Sequence, residues 1–170
     1  DFISGDTNID LLEFDNTFES TIVEYLDFSD VSGQENVKRG LQISAAAMHN
    51  VLLIGSPGSG KTMMARRLPG ILPPLSHDEK IELTKIYSIS GLLNEKYPFV
   101  NERPFRTPDH TVTAAALIGG GVKPHPGEVS LSHMGVLFLD EAAEFSRAAL
   151  ESLRKPMEDE VCTITRVHGK

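Results

Sequence analysis

The sequence predicts an α/β fold in which a parallel sheet is flanked by helices, and two apolar segments carry that prediction. Val51–Ile54 leads into a glycine-rich loop, and Val136–Leu139 ends in two carboxylates. Short apolar runs with polar groups at their carboxyl ends are typical of buried strands in a parallel sheet. The chain has 170 residues, of which 40% are hydrophobic, and this is enough for one core of normal size.

The loop after the first run has the phosphate-binding spacing G-x-x-x-x-G-K-T. Its glycines let backbone N–H groups turn inward, and the helix that follows directs its positive dipole end at an anion. Lys61 can reach the β- and γ-phosphates of a nucleotide, and the Thr62 hydroxyl can bind Mg²⁺. The structural alternative is a glycine turn before a helix with an incidental lysine. The expected nucleotide-binding residues are Gly55, Ser56, Pro57, Gly58, Ser59, Gly60, Lys61, Thr62 and Met63.

The second run supplies the acidic partner that a phosphate loop needs. Asp140 and Glu141 follow it at the end of a predicted strand, where ligands of open α/β sheets bind. We expect Asp140 to hold Mg²⁺ through water. Glu141 and Lys61 are the expected catalytic residues, and Glu141 is the base that polarises the attacking water. Alone, this run could be a strand before a polar helix start. Downstream of a phosphate loop it favours nucleotide hydrolysis, with ATP and Mg²⁺ as cofactors.

The net charge of −8 averages two different parts of the chain. Residues 1–30 carry nine acidic and no basic side chains, whereas residues 31–170 carry fifteen acidic and sixteen basic ones. Charge therefore neither excludes nucleic-acid binding by the larger part nor argues for it. No apolar run approaches the roughly 18 residues of a membrane span, so we expect no membrane partner.

The cysteine content points to a reducing compartment, and the histidine spacing predicts no transition-metal site in the protein. Cys162 is the single cysteine, which permits no internal disulfide and fits the cytoplasm, and we expect it to pack rather than react. The histidines show no spacing typical of a zinc site. The chain begins with Asp1 rather than Met, without a signal peptide, and we expect it to be a piece of a longer protein.

The part before the loop is predicted to hold an arm and one helix. Residues 1–26 form an acidic connector, either partly helical near Thr21–Leu26 or a disordered linker. Four apolar residues at helical spacing then predict a helix over residues 34–48. Its buried face is expected to consist of Val37, Leu41, Ala45 and Met48.

Two helices are predicted after the loop. The first runs from Lys61 to about Leu68 and should stop before Pro69. The second is announced by a capping box, in which Ser76 is the N-cap and Glu79 the third helical residue. It should continue to roughly Ile89 and end at Gly91.

An insertion is predicted in the middle of the second half. Residues 97–110 are rich in Pro and Arg and should form a loop, and a short helix should follow over Thr111–Ile118. Gly119–Gly121 interrupt that helix, and residues 128–133 alternate like a strand. We interpret this region as a β-hairpin inserted within a helical segment.

Two further elements are expected after the acidic pair. A helix over Phe145–Met157, with Ser146 as its N-cap, should turn Leu150 and Leu153 to the core and end at Pro156. Residues 161–167 alternate like a strand.

Several longer words in the sequence resemble the magnesium chelatase-like branch of the AAA+ ATPases, of the competence-protein ComM and YifB type. They are far more specific than the phosphate loop and span about residues 25–166. The matching words are Asp27–Gln34, His49-Asn50, Gly55–Thr62, Ala65–Pro69, Arg103–Arg106, Leu117–Gly121, Pro126–His133, Gly135–Glu141 and Leu150–Pro156.

The resemblance implies a P-loop NTPase motor core that assembles into a ring, commonly a hexamer. Residues 27–170 would be the core, incomplete before its lid domain and arginine finger, and residues 1–26 the tail of an amino-terminal domain. Val31 and Gly33 would lie near the adenine, and the hairpin would point to the ring pore. Relatives of the ComM type act as DNA helicases in branch migration, so DNA is the expected partner. As a fragment, the chain is expected to hydrolyse ATP very slowly.

Three points stay open at the level of the sequence. Relatives usually carry two histidines where this chain has Asp109 and His110. The alternatives to a DNA motor are a magnesium chelatase subunit that drives metal insertion, and a MoxR-type chaperone ATPase. Basic candidates for contact with DNA or a neighbouring subunit, each with surface ion pairs as the alternative, are Arg66, Arg67, Arg103, Arg106 and Lys123.

Overall fold

Helices account for most of the regular structure. The computed structural model describes residues 26–93, 98–121 and 124–164, which contain seven α-helices, four two-residue strands and two 3₁₀ helices. The α-helices are α1 (Glu35–Ala47), α2 (Lys61–Ala65), α3 (Leu68–Ile71), α4 (His77–Ile89), α5 (Ala114–Ile118), α6 (Glu128–Leu131) and α7 (Arg147–Asp159). The strands are β1 (Phe105–Arg106), β2 (Gly119–Gly120), β3 (His125–Pro126) and β4 (Val136–Leu137), and the 3₁₀ helices span Phe28–Asp30 and Ala142–Glu144.

A parallel pair of strands, β1 and β4, brings two distant segments side by side. Phe105 lies opposite Val136, and Arg106 lies opposite Leu137. The start of β4 comes so close that a Cβ on Gly135 would lie 2.1 Å from the carbonyl oxygen of the residue before β1, and glycine avoids this clash. The second apolar run is thus a parallel strand, half-buried rather than fully buried. β1 lies where a loop was expected, because two residues among prolines and arginines give no strand pattern.

The first apolar run, Val51–Ile54, forms no ladder with any residue that the structure describes. Leu53 packs against a buried cluster, whereas Leu52 is 76% and Ile54 88% exposed. The prediction of a buried strand is therefore wrong for these residues. The buried cluster covers Leu53, but no described strand lies beside the run to bury its other residues.

Two apolar clusters form the described core. One joins the segment before α1, α1 itself and α2, and its buried members are Phe28, Val31, Leu41 and Met64. The other joins α5 to α7, with Leu137 and Leu139 packed against its buried members Leu117, Ala149 and Leu153. The first cluster supports the phosphate loop, and the second supports the strand that leads to the acidic pair.

The predictions for α1 and α4 are largely confirmed. Leu41 and Ala45 are buried on α1, but Met48 follows the helix end and is 61% exposed, so its assignment to the buried face is wrong. At the start of α4, Ser76 and Glu79 form both hydrogen bonds of the capping box. The helix ends at Ile89 as expected.

Prolines mark helix ends less strictly than the sequence suggested. The helix after the loop stops at Ala65, and Pro69 lies in the first turn of a separate helix, α3, where its missing N–H is no loss. Pro156 lies inside α7, which continues to Asp159, so the predicted end is wrong. We attribute this to the buried face of α7, whose packing offsets one missing hydrogen bond.

Further predictions on α5, α7 and the two ends of the chain have mixed outcomes. Thr113 caps α5, which begins three residues later than expected, and Ser146 caps α7 as predicted. Leu153 is buried, but Leu150 is 37% exposed and does not belong to the core. Residues 161–164 form no strand, and residues 165–167 and 21–25 lie outside the described residues.

The glycine-rich insertion contains a minimal hairpin. Gly119 pairs with Pro126 and Gly120 with His125 in antiparallel register. The expected strand over residues 128–133 is wrong, because the segment folds into α6 and buries Leu131 against its surroundings. Gly119 has φ +105°, and a Cβ on it would lie 2.6 Å from the His125 carbonyl oxygen.

Arg103 connects three segments around the start of β4. Its Nε donates to the carbonyl oxygen of Pro73 at 2.5 Å, one terminal nitrogen donates to that of Met134 at 2.6 Å, and the other lies 3.3 Å from a carboxylate oxygen of Glu79. The side chain is only 7% exposed. The residue therefore stabilises the fold rather than contacting a partner.

Replacing Arg103 by Leu should lower the free energy of unfolding by about 2–3 kcal/mol, because a nearly buried charged donor that joins three segments is lost. Urea unfolding would measure this. Arg154→Leu is the matched control, because Arg154 pairs with Glu158 at the surface, where both side chains are more than half exposed, and it should cost less than about 1 kcal/mol. Equal losses for the two variants would contradict a supporting role for Arg103.

Candidate functional site

The phosphate loop and the acidic pair, distant in sequence, meet in the structure. The hydroxyl of Thr62, the second residue of α2, donates a hydrogen bond of 2.8 Å to a carboxylate oxygen of Asp140, which follows β4. These two residues are separated by 78 positions. The sequence analysis placed both beside the same Mg²⁺, and the structure brings them into direct contact.

The loop itself is closed around the amine of Lys61. Gly58 and Gly60 have φ of +75° and +85°, a conformation that glycine adopts without strain. Lys61 Nζ donates to the carbonyl oxygens of Gly55 and Ser56, at 2.9 Å each. Because α2 begins at Lys61, the first N–H groups of this helix have no acceptor within the helix and are available to an anion.

Glu141 occupies an unusual backbone position beside Asp140. Its φ and ψ are 52° and 50°, the left-handed region that residues other than glycine seldom adopt. Its N–H donates to the Asp140 carboxylate at 3.1 Å, and its own side chain is exposed. Backbone strain of this kind is concentrated at functional sites. The Glu141 N–H and the Thr62 hydroxyl together hold the Asp140 carboxylate in place.

A cleft of about 390 Å³ lies next to the acidic pair. Asp140 and Glu141 line one side of it, and the segment that follows β1 lines the other, with Thr107, Pro108, Asp109 and His110. Because β1 and β4 are parallel neighbours, their carboxyl ends reach the same rim. The sequence analysis missed this wall, since it did not predict β1.

Asp109, which stands where the resemblance led us to expect a histidine, makes two hydrogen bonds that favour its charged form. It accepts hydrogen bonds from the Thr111 hydroxyl at 2.6 Å and from the Thr111 N–H at 2.9 Å. The hydrogen bond from the Thr111 side chain, followed by that from its backbone, lowers the pKa of the Asp109 carboxyl. The cleft therefore carries a fixed negative charge opposite Asp140 and Glu141.

The segment before α1 lies against the loop. Val31 is buried in the first core cluster, and Gly33 adopts φ +70°. The next residue, Gln34, donates from its side-chain amide to the carbonyl oxygen of Ser59 in the loop, at 3.1 Å. The sequence analysis did not single out Gln34, because no motif announces a contact across 25 residues.

The implied Mg²⁺ fits the oxygen atoms at this site. Mg²⁺ prefers oxygen ligands and is usually held by one or two carboxylates together with phosphates and retained waters. The Thr62 hydroxyl and the Asp140 carboxylate are hard oxygen donors with a separation of 2.8 Å. The described residues contain no group of three or more His, Cys, Asp or Glu side chains placed to hold a metal ion. The remaining ligands would have to come from phosphate or water.

Most of the basic candidates for partner contact are already paired within the chain. Arg67 pairs with Asp30, Arg103 with Glu79, and Arg106 with Glu128. Arg66 is exposed, and Lys123 lies outside the described residues. The paired arginines hold the fold together, so they are poor candidates for binding DNA.

Comparison with known proteins identifies the family. A family model described as magnesium chelatase, subunit ChlI, matches residues 27–170. The chain belongs to this family. The YifB protein of Salmonella typhimurium is 49% identical to it over 146 residues, and the competence protein ComM of Haemophilus influenzae is 47% identical over 147 residues. Each of these matches covers 85% of the chain and 28% of the relative.

A more distant member of the magnesium chelatase family carries the family's name. The magnesium-chelatase 67 kDa subunit of Heliobacterium mobile is 28% identical over 147 residues, which is 70% of this chain and 22% of that protein. The chain thus spans between a fifth and a third of the length of the relatives described here. Within the residues that the structure describes, no helix of the present chain has the length and apolar character needed to cross a membrane.

Proposed function

We propose that this chain binds ATP with Mg²⁺ and provides the hydrolytic site of an ATPase. The observation that carries the proposal is the hydrogen bond between Thr62 and Asp140, which unites the phosphate loop with the acidic end of β4. A fortuitous glycine turn would have no reason to meet that strand end. Membership of the magnesium chelatase family supports the same assignment.

Each residue of the site has a distinct part in this proposal. The loop amides and Lys61 bind the phosphates, and the Lys61 amine exchanges its two carbonyl acceptors for phosphate oxygens. Thr62 and Asp140 hold Mg²⁺, which supplies charge neutralisation on the phosphates when bound. Glu141, exposed at the cleft, accepts the proton of the attacking water. Val31 and Gly33 belong to the segment proposed to lie near the adenine.

Replacing Asp140 by Asn tests the metal part of this site. The variant should bind ATP about tenfold less tightly in the presence of Mg²⁺, because a charged ligand is lost, and should show little further weakening in EDTA. Equilibrium titration with a fluorescent ATP analogue measures both affinities. Asp78→Asn, at an exposed position in the first turn of α4, is the control and should leave binding unchanged. Failure of the unaltered protein to bind Mg·ATP would refute the proposed function.

We further propose that the longer protein acts on DNA as a ring-shaped motor, commonly a hexamer, in the manner implied by the ComM and YifB resemblance. The identities of 47–49% with ComM and YifB, against 28% with the chelatase subunit, support this direction. ATP hydrolysis by the longer protein should rise on addition of single-stranded DNA, and the effect should weaken steeply with salt. Stimulation only by a porphyrin-binding protein partner would favour the metal-insertion role that the family description suggests.

A further inference from the structure

Gln34 links the segment before α1 to the phosphate loop. Its side-chain amide donates a hydrogen bond of 3.1 Å to the carbonyl oxygen of Ser59. We propose that Gln34 is a positioning residue that fixes the Ser59–Gly60 peptide, so that the Gly60 N–H faces the phosphates of a bound nucleotide. This inference rests on the proposed ATP-binding function and adds a residue that acts through the loop without touching the ligand.

The Ser59–Gly60 peptide unit couples the direction of one acceptor to that of one donor. The described chain has no cis peptide, so the C=O of Ser59 and the N–H of Gly60 point in opposite directions. When Gln34 holds the carbonyl oxygen on its own side, the Gly60 N–H must point to the other side. One hydrogen bond outside the loop therefore decides the direction of a donor on the loop's opposite face.

Gly60 makes such a restraint necessary. Its φ of +85° is accessible to glycine, but glycine adopts negative φ about as readily. A peptide that precedes glycine can therefore rotate at little cost, which would turn its N–H away from an anion. The Gln34 amide also lies over Gly60, since a Cβ built on Gly60 would be 3.2 Å from Gln34 Nε2. The contact selects one of the conformations that glycine permits.

Gln34 itself is placed against local preference. It has φ 57° and ψ 35°, the left-handed region, and it is the N-cap of α1 without forming a side-chain cap. Asn, Asp or Ser would suit an N-cap better, and Asn tolerates the left-handed region more readily than Gln. The longer Gln34 side chain forms no cap hydrogen bond to α1 and donates to the Ser59 carbonyl oxygen in the loop instead. A glutamine at this position therefore suits the loop contact better than it suits the start of the helix.

The segment that carries Gln34 is held firmly. Val31 is buried in the first core cluster, and Arg67 donates to both carboxylate oxygens of Asp30, at 2.8 and 2.5 Å. These hydrogen bonds from Arg67 lower the pKa of the Asp30 carboxyl, so the pair stays charged. Arg67 lies two residues after α2 and also donates to the carbonyl oxygen of Met63 in that helix, at 2.9 Å, so the segment is anchored to the helix that follows the loop. Gln34 therefore acts from a fixed base.

Two substitutions separate the hydrogen bond from the backbone conformation. Gln34→Asn keeps an amide and favours the left-handed conformation, but it is one methylene too short to reach Ser59. Gln34→Glu keeps the length but puts an acceptor opposite the Ser59 carbonyl oxygen. Gln42→Asn and Gln42→Glu, on the exposed side of α1, are the matched controls. Two quantities are compared between each variant and the parent protein. The first is the affinity for Mg·ATP and for magnesium tripolyphosphate, measured by competition with a fluorescent ATP analogue, and the second is the thermal midpoint of unfolding.

We expect Gln34→Asn to weaken both ligands about fivefold, the factor of one neutral hydrogen bond, with an unchanged or higher thermal midpoint. Gln34→Glu should weaken them more, and the Gln42 variants should bind as the parent does. A lower thermal midpoint with unchanged affinities would assign Gln34 a merely structural role and overturn the inference. Weaker ATP binding with unchanged tripolyphosphate binding would show that Gln34 affects the adenosine part of the nucleotide and not the phosphates, and this would also overturn the inference. If the parent binds neither ligand, the proposed function fails and the inference with it.

Discussion

Replacing Glu141 by Gln should slow ATP hydrolysis by about 10²–10⁴-fold while Mg·ATP still binds. The amide has nearly the same size as the carboxylate but cannot accept a proton from water. Glu141 contributes only its backbone N–H to the contact with Asp140, and the substitution leaves that N–H in place. In the described part of the chain, its exposed side chain makes no hydrogen bond or ion pair whose loss would disturb the fold. Single-turnover hydrolysis and nucleotide titration, measured on the longer protein, separate the rate from the binding.

Glu144→Gln is the control for that experiment. Glu144 is exposed at the end of the 3₁₀ helix that Glu141 caps, so the same charge is removed a few residues away. It should leave the rate within about twofold, in line with the small effects of exposed substitutions. An unchanged rate in Glu141→Gln would contradict the role of Glu141 as the base. Asp109 and His110, which also line the cleft, would then be the next candidates for that role.

The opposite wall of the cleft limits what else could serve as the base. Asp109 is engaged by two hydrogen bonds from Thr111, and these lower the pKa of its carboxyl. A carboxylate stabilised in its charged form is a weaker proton acceptor than one exposed to water. Glu141 has no such side-chain hydrogen bond among the described residues and is exposed at the cleft. Asp109 contributes a negative charge to the same cleft.

What the sequence predicted about the site follows from local rules and one general rule of topology. The loop spacing identified Lys61 and Thr62, and the apolar run before Asp140 identified the acidic pair. Their meeting followed from the rule that ligands bind at the carboxyl ends of parallel strands. The contact of 2.8 Å between Thr62 and Asp140 agrees with that expectation, although the run before the loop pairs with no described strand.

What the sequence did not predict depends on tertiary contacts. β1 has two residues, too few for any periodic pattern, and exists because Phe105 and Arg106 align with β4. The alternation over residues 128–133 suggested a strand, but packing of Leu131 and the ion pair between Glu128 and Arg106 favour a helical turn. In each case, partners far along the chain decided the local structure.

Replacing Lys61 by Ala should weaken Mg·ATP binding by about 10²-fold or more, because charged hydrogen bonds to the phosphates are lost. The same change should hardly alter the stability of the nucleotide-free protein. Among the residues that the structure describes, Lys61 Nζ is held there by the carbonyl oxygens of Gly55 and Ser56, both exposed, and water can replace the amine at each. Calorimetric titration with Mg·ATP and urea unfolding of the same preparations measure the two effects.

Lys85→Ala and Lys61→Arg complete the test of that residue. Lys85 is exposed on α4, so its removal should leave binding unchanged and shows what the loss of one positive charge does at a distance. Lys61→Arg keeps the charge, but a planar guanidinium is larger than the compact ammonium that lies 2.9 Å from each of two carbonyl oxygens, and it cannot take the same position. It should therefore bind Mg·ATP little better than Lys61→Ala. Full binding by the arginine variant would show that charge alone, without the point-like geometry of lysine, is sufficient in this loop.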